Sequence, residues 1–191
     1  MKEYNLYFHR PYSINRTNSL FMDSVADEPG IYLWAIKSNE KYLVEYVGET
    51  KYSFKQRTKE HLIQVLGGHY RSLDTDYYES GQVKVLWNGL WRKETQDKLN
   101  DFVGRYVELA PKILSYVESI NMFVAPLQTG WYERKLIEGA IASHVKAQPD
   151  EVSRFYPRDN RTYNPKANEK GILVQVKSSV RIEGLPSELT L

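Results

Sequence analysis

The stretch GIYLWAIKSNEKYLVEYVGETKYSFKQRTKEH, residues 30–61, joins two apolar, β-rich runs to a helical run. The turn signal SNE separates GIYLWAIK from KYLVEYVGE, so the pattern predicts an antiparallel hairpin with a short polar loop. The helical run begins after Ser53, a residue suited to an N-cap, and a pair of glycines ends it. Arg57 and His61 are four residues apart, so they project from the same side of the predicted helix. The stretch therefore predicts a site where strand tyrosines meet an arginine and a histidine.

The rest of the chain predicts an α+β domain around this hairpin. The run NMFVAPLQ predicts a third strand, and TGWYERKLIEGAIASHVKA predicts a helix after it. We expect a small, mixed but mainly antiparallel three-stranded core sheet flanked by helices, with an inserted helical segment that Pro111 breaks or restarts. The run GILVQVKSSVRIEGL predicts one or two extra C-terminal strands. The predicted parts of this single domain, 1–191, are an N-terminal arm (1–28), a core (about 29–165), a helical insertion in the core (about 80–119) and a C-terminal extension (166–191).

Composition limits the class of protein without identifying it. The 191 residues, 41% of them hydrophobic and 13% aromatic, are typical of one globular domain with a sizeable core. The chain has no cysteine, which excludes a disulfide framework and a thiolate metal site. The start, MKEYNLYFHRPY, is not apolar, and no run approaches membrane length, so we expect a soluble, cytoplasmic protein without a membrane partner.

Charge is close to balanced overall but clustered locally. The formal net charge is +2, which by itself argues weakly for a polyanionic partner. Basic residues outnumber acidic ones in residues 51–71 and again in residues 154–170. Charge alone leaves two interpretations open, a positive face that binds nucleic acid and a pair of solvated loops.

The order of several short motifs resembles that of the GIY-YIG nuclease superfamily. The motif GIY occupies residues 30–32, and YVG occupies residues 46–48 with Val in place of the usual Ile. Arg57 and His61 follow in a helix, a glutamate lies in the helix after the third predicted strand, and an asparagine lies in the next loop. GIY alone carries little weight, whereas this order within the expected elements is specific. The resemblance implies metal-dependent hydrolysis of phosphodiesters, usually in DNA, with one Mg²⁺ or Mn²⁺ ion; RNA is not excluded.

The resemblance also implies roles for four residues near the hairpin. Arg57 would stabilise charge on the phosphate oxygens, which a guanidinium can contact through two bonds. Tyr32 would be the general base and Tyr46 would orient the attacking water. A phenol has a pKa of about 10, so we expect a nearby cation and metal-bound water to lower it by about three units, or about 4 kcal/mol. His61 would accept a hydrogen bond from a tyrosine or contact phosphate.

The metal ligand implied by the resemblance is a carboxylate in the predicted helix after the third strand. One carboxylate, with waters and substrate phosphate, is a typical Mg²⁺ arrangement. Glu133 and Glu138 are both candidates, and the preceding run RKLI favours Glu138. Glu133 would then be an acidic residue in the first turn, stabilised by the helix dipole.

Further residues are weaker candidates for substrate binding. Gly48 belongs to the YVG motif, Lys55 lies near the tyrosines, and His69 lies where some members of the superfamily have another histidine. Asn164, in RTYNPK, is favoured over Asn160 as the loop asparagine. A second function stays open, a non-catalytic nucleic-acid-binding protein on a GIY-YIG fold, for which basic patches and exposed tyrosines would suffice.

Overall fold

The structure of the protein is a computed structural model that describes residues 2–14, 18–91, 95–157 and 171–191. In chain order the strands are β1 (Lys2–Phe8), β2 (Gly30–Ser38), β3 (Lys41–Thr50), β4 (Ser72–Leu73), β5 (Val85–Trp87), β6 (Ile120–Pro126), β7 (Ile172–Ser178), β8 (Ile182–Glu183) and β9 (Glu188–Thr190). The helices are α1 (Phe54–Leu66), α2 (Gln96–Gly104), α3 (Tyr106–Ser119), α4 (Trp131–Lys146) and the short α5 (Asp150–Ser153).

The central sheet has the strand order β6-β2-β3-β8. Strand β2 is antiparallel to both β3 and β6, which confirms the predicted mixed α+β class with a mainly antiparallel sheet. The sheet has one more strand than predicted, because β8 pairs in parallel with Tyr42 and Leu43 of β3. This fourth strand comes from the C-terminal extension, where extra strands were expected.

The hairpin between β2 and β3 closes through two residues. Asn39 and Glu40 have positive φ values of 47° and 61°, and Ser38 pairs with Lys41 across the turn. A two-residue loop with φ positive at both positions has the twist that two adjacent strands require. The predicted hairpin with a short polar loop is confirmed.

The two ends of the chain form a second, three-stranded sheet of order β1-β7-β9. Strands β1 and β7 are parallel over their whole length, from Lys2 opposite Ile172 to Phe8 opposite Ser178. The N-terminal arm and the C-terminal extension are therefore integral parts of the fold.

Apolar residues cover both faces of the central sheet. One core packs the side chains of Trp34 and Ile36 against α1 and α3. The other packs Leu33 and Val44 against α4 and against strands β1 and β7. A strand with both faces covered is expected to be almost continuously apolar, as β2 is.

The inserted helical segment divides at Arg105, between α2 and α3. The prediction that Pro111 interrupts the helix is wrong, since Pro111 lies inside α3. Proline removes the backbone hydrogen bond to the carbonyl four residues earlier. That carbonyl belongs to Val107, which is 90% exposed, so water can replace the missing donor.

Within the described ranges, none of the helices combines the length and the apolar character needed to cross a membrane.

Candidate active site

Strand pairing brings two tyrosines together on one face of the central sheet. Tyr32 lies opposite Gly48, and Trp34 lies opposite Tyr46. Directly opposed residues in an antiparallel pair project to the same face. The ring centroids of Tyr32 and Tyr46 are 6.0 Å apart, so the two predicted tyrosines are neighbours.

A β-bulge beside Tyr46 adds a carboxylate to this face. Trp34 is opposite Tyr46, but Ala35 is opposite Val44, so Glu45 has no partner of its own on β2. Strict alternation would place Glu45 on the face opposite to Tyr46, and the extra residue of a bulge breaks that alternation. Glu45 consequently lines the same cavity as Tyr46.

Gly48 leaves the space that the Tyr32 ring fills. A Cβ atom at this position would lie 2.3 Å from Cζ of Tyr32 and 2.4 Å from its Oη. No real Cβ approaches another atom so closely, so a larger residue at this position would displace the ring. Gly48 was a candidate for substrate binding, and its buried position beside the ring gives it a packing function.

Helix α1 carries Arg57 and His61 to the phenol of Tyr32. Ser53 caps the helix as predicted, its hydroxyl accepting a hydrogen bond from the Gln56 amide. The Tyr32 Oη atom is 2.9 Å from His61 Nε2, and Arg57 Nε donates to the same oxygen at 3.4 Å. The structure thus joins these three residues in one hydrogen-bonded group.

Burial controls the protonation of this group. It raises the pKa of Tyr32 well above its ordinary value; the neighbouring Tyr46 adds to this shift and Arg57 opposes it. Burial also lowers the pKa of His61 to about 3, with Arg57 contributing in the same direction. Arg57 does lower the pKa of Tyr32, as expected, but in the protein alone desolvation outweighs the guanidinium and the net shift is upward. At neutral pH the phenol is protonated and can donate to the neutral imidazole.

Helix α4 places a second acidic residue near the tyrosines. Glu138 has a side chain only 16% exposed, and its Oε2 accepts a hydrogen bond from Lys135 Nζ at 2.8 Å. Lys135 also lies 3.3 Å from Glu49 of β3, to which Arg134 donates at 3.2 Å. These ion pairs fix α4 beside the hairpin. Burial raises the pKa of Glu138, and the ammonium of Lys135 opposes the shift.

Glu133, the alternative metal ligand, lies outside this group. Its Oε1 is 2.7 Å from Nζ of Lys2 in β1, an ion pair that ties the helix to the N-terminal strand. The structure therefore brings Glu138, and not Glu133, to the cavity beside the tyrosines.

A cavity of about 760 Å³ opens between α1 and α4 above the hairpin. Tyr46, Arg57, His61 and Glu138 line it, whereas Tyr32 lies behind them and is 3% exposed. The remaining lining residues are Trp34, Glu45, Val47, Val65, Tyr70, Arg71, Trp91, Trp131, Tyr116, Lys135, Gly139, Ala142, Tyr156 and Pro157.

The donors in this cavity fit one mode of divalent-metal binding. In the described part of the chain no three acidic or histidine residues cluster closely enough to enclose an ion. Mg²⁺ is, however, commonly held by one or two carboxylates together with waters and substrate phosphates. Glu138 supplies such a carboxylate in an open cavity, and a bound ion would compete there with the ammonium of Lys135.

The weaker candidates have different positions. Lys55 is exposed in the first turn of α1, and neither it nor His69 lines the cavity. His69 packs beside Tyr70, with ring centroids 5.8 Å apart, and Tyr70 in turn contacts His61. Asn164 and its alternative Asn160 lie outside the described residues.

Of the two basic stretches, the structure describes the first completely. Lys51 is exposed just before α1, and Lys55 and Lys59 are exposed in it. Arg57 lines the cavity, and Arg71 approaches buried Glu45 at 3.9 Å. The second stretch lies mostly outside the described residues. Arg154, which is described, donates to the carbonyl of Gly81.

Sequence reasoning missed several residues of the cavity. Trp34 lies two positions after Tyr32, so the two-residue period of a strand places it on the same face. Lys135 lies three positions before Glu138, a spacing that predicts a contact on a helix. No pattern in the sequence marks the bulge that turns Glu45 toward the cavity.

No protein-family model matches the chain, and no curated protein and no solved structure matches it at a significant level. The motifs and the geometry of the cavity are therefore the evidence from which its function is inferred.

Proposed function

We propose that the protein is a divalent-metal-dependent endonuclease of the GIY-YIG type that hydrolyses phosphodiester bonds of DNA. The observation that carries this proposal is the group formed by Tyr32 Oη, His61 Nε2 and Arg57 Nε, with Tyr46 and Glu138 at the same cavity. These residue types supply a proton acceptor, a fixed positive charge and a hard oxygen ligand. Metal-dependent hydrolysis of a phosphodiester uses all three.

Arg57 is the residue that acts on the phosphate. Its guanidinium is always charged, and one of its nitrogens, Nη1, is held by Glu60 at 2.9 Å. The side chain is 36% exposed where it lines the cavity, so a phosphate can reach it. Preorganised charge of this kind stabilises the developing negative charge of the transition state.

Tyr32 and His61 act together as the proton acceptor. As the attacking water gives its proton to Tyr32 Oη, the phenol gives its own proton to Nε2 of the neutral imidazole. This exchange spares the protein a free phenolate, whose formation burial opposes. The negative charge of a bound phosphate raises the pKa of His61 and so favours the transfer. Tyr46, which lines the cavity, orients the water.

Glu138 is the residue that would hold Mg²⁺ or Mn²⁺, and such an ion supplies Lewis-acid stabilisation of the phosphate and acidifies bound water. Lys135 neutralises Glu138 before the ion binds. The cytoplasmic location expected from the sequence stays a prediction.

The test is cleavage of supercoiled plasmid with Mg²⁺, with Mn²⁺ and with chelator. We expect nicked or linear product only with metal. Arg57→Ala should reduce the rate about 10²–10³-fold, as loss of one preorganised charge commonly does. Arg181→Ala, which removes an arginine 84% exposed beside β8, is the matched control and should cleave normally.

Two results would contradict the proposal. Cleavage that persists in the presence of chelator would show that the activity does not depend on a divalent metal ion. Binding of DNA without cleavage, with either metal, instead assigns the protein to the non-catalytic nucleic-acid-binding alternative.

A further inference from the structure

Part of the cavity is not used by the proposed cleavage reaction. We call this part the aromatic pocket. Trp34 lies between it and the proposed catalytic residues, and its wall contains aromatic side chains, one glutamate and one arginine. Its lining residues are Trp34, Glu45, Tyr70, Arg71, Trp91 and Tyr116.

Glu45 is the unusual member of the aromatic pocket. It is 4% exposed, and its Oε1 accepts a short hydrogen bond from the phenol of Tyr116 at 2.7 Å. Its other oxygen, Oε2, is buried and has no hydrogen-bond partner among the described residues. Leaving a buried polar atom unsatisfied costs stability, and more so when the group is charged. A carboxylate oxygen in this position is suited to a ligand that brings an N–H donor.

The walls of the aromatic pocket are suited to a flat ring. Trp34, Tyr70 and Trp91 present ring faces or edges, and Trp91 and Trp131 are 55% and 56% exposed where they line the cavity. Nucleobases stack on such side chains. Arg57 and Lys135 line the same cavity, so the phosphate attached to a bound base meets positive charge.

We propose that the aromatic pocket receives one unstacked nucleobase of the substrate, and that Glu45 selects a base with an exocyclic amino group. This inference rests on the proposed function and specifies its substrate. Enzymes that hold an extruded base combine aromatic stacking with hydrogen bonds to the base edge. A carboxylate accepts from the N4 amino group of cytosine, whereas uracil and thymine present a carbonyl oxygen there, which repels it. Arg71, 3.9 Å from Glu45, provides a donor for the adjacent ring nitrogen or carbonyl.

The experiment compares binding of two fluorescein-labelled single strands, a deoxycytidine dodecamer and a deoxyuridine dodecamer, by anisotropy. The two differ only at the base edge that Glu45 would contact. Chelator is present, so the result does not depend on cleavage. Burial raises the pKa of Glu45, with Tyr116 and Arg71 opposing, so pH 8 is chosen to favour the carboxylate. We expect the deoxycytidine strand to bind about tenfold more tightly, the effect of one well-placed base contact.

Variants show whether the aromatic pocket causes this preference. Glu45→Gln keeps the shape of the side chain and an oxygen that accepts from Tyr116, but it adds an amide N–H that can donate to the carbonyl of uracil. The preference for the deoxycytidine strand over the deoxyuridine strand should therefore fall to about twofold or less. Trp91→Ala, at an exposed position of the aromatic pocket, should weaken both strands equally, because stacking is tolerant of sequence. Tyr7→Ala removes a similarly exposed ring, 49% exposed in β1, and should change neither.

Several outcomes would overturn the inference. Equal binding of the two strands by the wild-type protein would show that the pocket does not select a base. The proposed function would not be affected, because plasmid cleavage tests it separately. A preference that survives in folded Glu45→Gln assigns the selection to another residue. If Glu45→Gln does not fold, an effect of Tyr7→Ala on binding as large as that of Trp91→Ala rejects the aromatic pocket. Failure of both strands to bind overturns the inference, and plasmid cleavage then decides separately on the proposed function.

Discussion

Tyr32 makes its key contacts through a single oxygen atom. Its phenol contacts both His61 and Arg57, and its ring stands at right angles to Phe54, with centroids 6.5 Å apart. A hydroxyl has one proton to give and two lone pairs to offer. Donation to His61 and acceptance from Arg57 leave one lone pair, which in the proposed mechanism accepts the proton of the attacking water.

Tyr32→Phe should therefore reduce cleavage by orders of magnitude while the protein stays folded. The substitution keeps the ring and removes only the oxygen, and it leaves His61 Nε2 without its partner at a cost of about 1–3 kcal/mol. His61→Gln should be comparably severe, because an amide accepts a hydrogen bond from Tyr32 but cannot take up its proton. The measurement is the plasmid cleavage rate from pH 6 to pH 10. The Tyr32–His61 pair should not itself make the rate rise in this range, because His61 is already neutral and burial keeps Tyr32 protonated throughout it.

Tyr46→Phe is the matched comparison for this prediction, since Tyr46 lines the cavity while Tyr32 lies behind it. If Tyr46→Phe is inactive and Tyr32→Phe is active, the general base is Tyr46. A metal-bound water also titrates in this pH range, so the variants and not the pH profile decide the assignment.

Gly48→Ala should destabilise the protein by about 1–3 kcal/mol, the usual cost of overpacking a core. The added methyl group would overlap the Tyr32 ring, so the cleavage rate should fall as well. Gly104→Ala is the control, because a Cβ atom there meets nothing within 4 Å. Alanine at that helical position should stabilise the protein by about 0.4–1 kcal/mol. Equal urea midpoints for the two variants would contradict the packing function of Gly48.

Among the elements, α1 and α4 bring together residues that are distant in the chain. Helix α1 carries the cation and the imidazole, and α4 carries the carboxylate of Glu138. The double ion pair of Glu49 with Arg134 and Lys135 fixes the position of α4 against β3. The spacing between the guanidinium and the carboxylate is thus set by two helices packed on one hairpin.

The two glutamates of α4 give a direct test of metal binding. Glu138→Gln should abolish cleavage at ordinary Mg²⁺ concentrations and retain DNA binding, because an amide is a poor ligand for a hard cation. Glu133→Gln makes the same chemical change at a residue paired with Lys2, and it should cleave like the wild type. The measurement is the cleavage rate as a function of Mg²⁺ concentration. An inactive Glu133→Gln with normal Glu138→Gln would move the metal ligand to Glu133.

At the level of elements, periodicity predicts much of the fold. The hairpin, its polar loop and the N-cap at Ser53 follow from local patterns, and the structure confirms them. The break at Arg105 was not predicted, because Pro111 is tolerated where water can reach the exposed carbonyl of Val107. Glu45 was not predicted because a one-residue bulge depends on pairing between strands, which no local pattern records.

For the whole molecule, the buried His61 gives stability a specific dependence on pH. Its pKa is about 3 in the folded protein against 6.5 ordinarily, so between these values the unfolded chain binds more protons and stability rises with pH. Lowering the pH from 7 to 5 should therefore cost about 2 kcal/mol from this residue alone. Urea unfolding at both pH values should show this difference between the wild type and His61→Gln.

The comparison with His61→Gln is needed because other groups titrate nearby. Burial raises the pKa of Glu45 and Glu138, which adds a dependence of the opposite sign. The same substitution at His9, at the end of β1, controls for the change of residue. A wild-type protein and a His61→Gln variant with the same pH dependence would show that the imidazole is not buried neutral.

The pairing of β1 with β7 has a consequence for how the protein is made. Lys2 leaves the ribosome long before its partner Ile172, because most of the described chain lies between them. Closing so long a loop is entropically costly and slow, so the second sheet forms after the hairpin and its helices. Until then Leu33 and Val44 lack the cover that β1 and β7 provide. The nascent chain should therefore expose this apolar surface until β7 has emerged, and we expect the proposed cleavage activity to appear only after that point.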